Sequence, residues 1–186
     1  MVTEKLEKLA SSLGLSIKRV NLIDGYMFDG TTIFYSDFGR GTEEAANANL
    51  AHEIAHFLVA SPDRRKVPEY GLGSGPESEI TSIAILNGVA KNQEEELASM
   101  LGMLIEKWAG QDPKKFTWED HGWFAYDIKA KNALSKLESL GLVFVAGKHI
   151  ETFESWEFYA KCCDQLGLLQ TSNVCVSFDE VSSSVS

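Results

Sequence analysis

The stretch NLAHEIAHFLVAS, residues 49–61, constrains this chain more than any other. His52 and His56 stand four apart with Glu53 directly after the first, and two of the four histidines in 186 residues fall inside five positions. Only a helix makes that spacing useful. Four residues turn an α-helix through about 400°, so the two imidazoles point the same way, one turn apart, and can meet one metal ion at about 2.0–2.1 Å. Glu53 lies about 100° further round, beside the ion, where it can take a proton from an activated water. Leu50, Ile54, Phe57 and Leu58 supply apolar flanks, and no proline interrupts the run. The bland reading of the same residues is an ordinary amphipathic helix that carries two unligated histidines. The H-E-x-x-H spacing favours a zinc site.

A catalytic zinc usually takes three protein ligands and leaves a fourth position open, so a third ligand is needed. The metzincin extension requires Gly at 59 and His at 62; the chain has Val59 and Pro62, which excludes that class. Asp63 qualifies only if the helix ends sharply. His121 and His149 are distant, single histidines with surface or hydrogen-bonding roles as the simpler reading. The remaining source is a carboxylate from the segment EEELASMLG, 94–102. Glu95 is followed by Ala98 and Gly102 at +3 and +7, a stripe of small residues that would let its helix lie close to the first. Glu94, with Leu97 and Leu101 at the same offsets, lies nearer the apolar face. A solvated acidic run explains all three glutamates without a metal.

With these residues in view, the chain resembles the ImmA/IrrE-type family of small gluzincin metallopeptidases. Its members combine a short strand region, an HExxH helix and a later helix of the form E-x-x-A-N-x-F-A. Glu95, Ala98, Ser99, Leu101 and Gly102 match that second motif, with Ser99 in place of asparagine and Gly102 in place of alanine. The resemblance covers roughly residues 1–110. It implies zinc held by His52, His56 and Glu95, Glu53 as catalytic base, and cleavage or binding of a repressor-like regulator.

The rest of the chain frames that site. Leu6, Leu9 and Leu13 predict a helix over 3–13, stopped by Gly14. Residues 15–36 alternate like strands, and Asp29-Gly30 between aromatic and β-branched runs predicts a hairpin, giving two or three antiparallel strands. Thr42 is the expected N-cap of a helix over 43–60, with Glu43 and Glu44 suited to its first turn. Residues 61–79 read as a long Gly/Pro-rich loop, 78–91 as a short helix, and 92–109 as a helix presenting Leu97, Met100, Leu101, Leu104, Ile105 and Trp108. Two further helices are expected beyond Pro113, followed by a disordered tail. The expected fold is α+β and zincin-like: a small antiparallel sheet packed on the HExxH helix and a second ligating helix. The organisation is a core over 1–112, a helical extension over 113–172 and a tail over 173–186.

Charge and composition narrow the partners. A net charge of −10 opposes broad contact with nucleic acid or anionic membranes. The segment AKNALSKLESLGLVF is similar to half a winged helix, yet only Lys129, Lys131 and Lys136 offer a basic cluster, so a packing helix is the simpler reading. No run of 18 apolar residues exists, and the N-terminal residues lack the apolar stretch of a signal peptide. Cys162, Cys163 and Cys175 are odd in number, and adjacent cysteines pair poorly, which fits thiols in a reducing cytoplasm. The expected partner is a peptide or protein substrate. Tyr70, His121 and Tyr126 are candidate donors to the oxyanion that peptide hydrolysis creates.

Overall fold

In a computed structural model of the chain, residues 1–21, 26–37, 41–74, 82–113 and 139 are described. They form helices α1 (Val2–Ser12), α2 (Glu43–Val59) and α3 (Gly88–Ala109), with strands β1 (Ser16–Arg19), β2 (Tyr26–Phe28) and β3 (Thr32–Tyr35). The expected helix at 123–143 apart from Ser139, that at 154–169, the tail, the three cysteines, and His121, Tyr126 and His149 lie outside the described residues.

Among the described elements α2 is central, in contact with α1, α3, β2 and β3. Thr42 caps it as its sequence implies, its hydroxyl accepting the Ala45 N–H at 3.3 Å. Thirteen of its seventeen residues are buried, in an unbroken run from Ala45 to His56. An amphipathic surface helix would expose one face; this one is enclosed all round, which its many alanines permit by keeping the helix thin. Leu50 and Ile54 of α2 pack in one core with Leu6 and Leu9 of α1, Phe28 and Ile33 of the sheet, and Met100, Leu101 and Ile105 of α3.

The sheet is mixed, not antiparallel as expected, with strand order β1-β3-β2. β2 and β3 form the anticipated hairpin, pairing Met27 with Phe34 and Phe28 with Ile33. Asp29 Oδ1 accepts the N–H groups of Thr31 and Thr32 at 2.8 and 2.7 Å, and Gly30 takes φ +100°. Because the hairpin fills one side of β3, β1 joins the other side and runs parallel to it, Ser16 opposite Thr32 and Arg19 opposite Tyr35.

α3 starts earlier than the 92 expected from the sequence. Asn87 is its N-cap; of the described part of the short helix predicted over 78–91, residues 82–87 are not helical and 88–91 are the first turn of α3. Gly110 ends α3 with φ +101°. Between α2 and α3 the chain forms two short 3-10 turns, Arg64–Lys66 and Pro68–Gly71, where the sequence indicated only loop. No helix among the described residues is long and apolar enough to cross a membrane.

Candidate metal centre

α2 and α3 approach each other closely enough to bring side chains from both to one point. The approach is made possible at Gly102: a Cβ there would stand 3.2 Å from His52 Cα and 3.4 Å from His52 N. Ala98, one turn earlier, is fully buried. The small-residue stripe read after Glu95 is therefore the contact surface of α3 on the HExxH helix.

At that contact the Nε2 atoms of His52 and His56 lie 3.0 Å apart. Glu95 Oε2 lies 3.2 Å from His56 Nε2 and 3.9 Å from His52 Nε2. Three donors about a tetrahedral ion at about 2.0–2.1 Å should be separated by about 3.3 Å, and these separations bracket that value. The donor atoms of His52, Glu53 and His56 also fall within 4.8 Å of one another. Two carboxylates thus compete for the role of third donor. Glu95 fits better, because its oxygen converges on the same two ring nitrogens while Glu53 flanks them from the same helix.

Burial raises the Glu53 carboxyl to about 8; His56 pulls it down, and the neighbouring Glu69 and Glu95 push it further up. Its Oε2 is buried with no hydrogen-bond partner among the described residues, as is Nδ1 of His56. An orphaned buried carboxylate oxygen beside two converging imidazoles is costly in a structural core and is what a water held next to a cation would satisfy. Burial also raises the tendency of Glu95 to stay protonated, but contact with His56 outweighs it and holds that carboxyl at about 2. For His56, burial favours the neutral ring and the Glu95 contact overcomes it, so its pKa is raised.

Glu94, the alternative ligand, points elsewhere. It forms a bidentate pair with Arg64, Nη1 to Oε1 at 3.0 Å and Nη2 to Oε2, with both residues buried. Asp63 is exposed and its carboxylate engages Ser61, away from the histidines. Tyr70 comes close. Its hydroxyl donates to the Glu53 backbone carbonyl at 3.0 Å, and its ring stacks on Phe28 at 4.3 Å and faces His56 at 5.6 Å. Tyr26 of β2 packs on the His52 ring with centroids 5.1 Å apart.

No family model, curated protein or solved structure matches this chain. The residues themselves therefore carry the reading of the site.

Sequence reasoning missed the segment that braces the centre. Arg64 Nη1 also donates to the Tyr70 carbonyl at 2.8 Å, so one guanidinium joins α3 to the loop. That loop holds Glu69 (φ 51°, ψ 30°) and Tyr70 (φ 50°, ψ 21°) in the left-handed region, at a cost of about 1–2 kcal/mol each for residues with a Cβ. Strain of this kind gathers at functional sites. Glu69 Oε1 in turn accepts the Phe28 N–H at 3.1 Å. A strained non-glycine pair leaves no mark in sequence; the only available signal was the unusual density of charge in a Pro/Gly-rich loop.

Proposed function

We propose that this chain is a zinc-dependent metallopeptidase of the gluzincin kind, hydrolysing a peptide bond in a peptide or protein substrate, with a regulatory protein as the natural target suggested by the resemblance. The observation that carries the reading is the convergence of His52 Nε2, His56 Nε2 and Glu95 Oε2 from two helices onto one point, with the unpartnered oxygen of Glu53 beside it. His52, His56 and Glu95 would hold the ion, and two imidazoles with one carboxylate suit zinc among the divalent metals. When bound, the ion supplies Lewis acidity, making water acidic near neutral pH and polarising the scissile carbonyl.

The chain's own groups do the rest. Glu53 Oε2 accepts the proton of the attacking water, whose oxygen bonds to the carbonyl carbon. As the C–N bond breaks, Glu53 returns that proton to the amine nitrogen. Tyr70 keeps Glu53 in register by donating to its backbone carbonyl, which makes it a positioning residue. Tyr26 and Tyr70 pack on the two histidine rings and limit their rotation. The odd cysteine count argues for a reducing cytoplasmic setting.

Metal analysis of protein purified without chelator, with Glu53→Gln assayed beside the parent on a casein digest and on peptide mixtures, tests the reading. One zinc per chain and loss of hydrolysis in the variant are expected. Absence of metal, or undiminished hydrolysis by Glu53→Gln, refutes it. Zinc retained with no hydrolysis by either protein favours the alternative, a regulatory binding module on a peptidase-like scaffold.

A further inference from the structure

Three glutamates of α3 have a polar side chain against them: Glu94 has Arg64, the partly buried Glu95 has His56, and Glu106 has Gln111. Glu69 differs. It is partly buried, and its hydrogen bond is to a backbone amide, the Phe28 N–H. Among the described residues it forms no ion pair. Withdrawing a carboxylate from water without a counter-charge is unfavourable, and the chain enforces it with two consecutive left-handed residues locked by Arg64. The Phe28 bond engages one oxygen and fixes the plane of the group, leaving acceptor capacity on the other oxygen.

The location gives that capacity a purpose. Glu69 lies within electrostatic reach of Glu53, His56 and Glu95. Tyr70, the next residue, stacks between Phe28 and His56. Two basic side chains of the surrounding segments have other partners: Arg64 has Glu94 and the Tyr70 carbonyl, and Lys91 Nζ has the Leu72 carbonyl at 2.8 Å. Lys91 is close enough for its charge to be felt at Glu69.

We propose that Glu69 is a specificity residue of this centre, its carboxylate binding a positively charged group of the substrate beside the bond to be cleaved. That group is an ammonium or guanidinium, carried either by a free peptide N-terminus or by a lysine or arginine side chain. The proposal rests on the metallopeptidase reading. A role limited to capping the Phe28 amide would need only an acceptor oxygen, which glutamine also provides.

The test uses the full-length zinc-loaded protein and its Glu69→Gln variant, with four hydroxamates whose binding requires the metal. Leucine hydroxamate against its N-acetyl derivative reads the N-terminal ammonium, and Nα-acetyl-lysine hydroxamate against its norleucine counterpart reads the side chain. Calorimetry at pH 6.5 should show one charged probe binding about tenfold tighter than its neutral partner, as for a partly exposed charge pair. Glu69→Gln should level that ratio and leave the neutral probe's affinity unchanged. In the parent protein the ratio should also shrink between low and high salt, a readout that needs no variant. Equal affinity for charged and neutral probes in the parent, or a ratio that survives in Glu69→Gln, overturns the proposal. Zinc-containing protein that binds none of the four overturns it while leaving the metal centre standing; protein that retains no zinc removes both.

Discussion

Gly102→Ala sets two known effects against each other at one atom. In the interior of a helix, alanine is favoured over glycine by about 1 kcal/mol, so on α3 alone the change should stabilise. The new Cβ, however, would stand 3.2 Å from His52 Cα and 3.4 Å from His52 N. Carbon pairs rest comfortably at about 3.5–4.0 Å, and the atoms it meets are backbone of a helix buried on all sides, with no flexible tip to swing aside. α3 must therefore retreat by about 0.3 Å or more, and overpacking of this kind costs about 1–3 kcal/mol. The net change is a loss of up to about 2 kcal/mol, read by urea denaturation of metal-free protein. The sharper readout is metal affinity. Glu95 lies two turns along α3 from Gly102, and its 3.9 Å separation from His52 is already the longest edge of the donor triangle. A retreat of α3 lengthens it further, and zinc affinity measured by chelator competition should fall about tenfold, with Gly102→Val worse. An alanine variant about 1 kcal/mol more stable, with unchanged zinc affinity, would refute the claim that this glycine sets the distance between the two ligating helices.

Other expectations follow from the same packing. Arg64→Ala should cost about 3–5 kcal/mol in denaturant unfolding, since it strands Glu94 in the core; the double change Arg64→Met with Glu94→Leu should cost much less. In protein stripped of metal, Glu53 keeps its proton up to about pH 8 when folded and loses it near 4.5 when unfolded. Stability should therefore decline as pH rises through that window, by several kcal/mol, and Glu53→Gln should flatten the decline; parallel profiles for the two would rule this out. Glu95, held at about 2, acts in the opposite sense: its contribution is present above the usual glutamate range and fades as the solution is acidified toward pH 2. Tyr70→Phe should lose about 1 kcal/mol for one buried hydrogen bond while keeping both ring contacts. Added zinc should raise the melting temperature of the parent protein and leave that of His52→Ala unmoved.

What could be read in advance depended on whether the decisive contact was local. The HExxH helix, its Thr42 cap and the Asp29-Gly30 turn are settled within a few residues, and each appears where its sequence places it. Glu95 was legible for a less local reason: Ala98 and Gly102 mark the face that α3 turns to α2, and Glu95 shares that face. The parallel pairing of β1 was not legible, because a strand's alternation is the same in either direction and only the occupied side of β3 decides. The link from Arg64 to Glu94 spans thirty positions, and charges in a loop give no hint that they are buried. The early start of α3 was not legible, and residues 88–91 were assigned to a separate short helix.

The contacts of the 64–72 segment also bear on how copies of this protein behave toward one another. Among the described residues β2 ends the sheet on one side; the Phe28 amide is already occupied by Glu69, and Gly30 sits so close to the Lys66 carbonyl that a Cβ there would fall 2.8 Å from it. On the other side β1 carries the exposed Lys18 beside Arg19, which is paired with Glu43 and Asp37. An incoming strand from a second molecule thus meets a filled hydrogen-bonding position on one border and charged side chains on the other. Substitutions that loosen the loop would uncover β2 as a template for strand pairing, so losses of solubility on storage should accompany losses of metal affinity in the same variants.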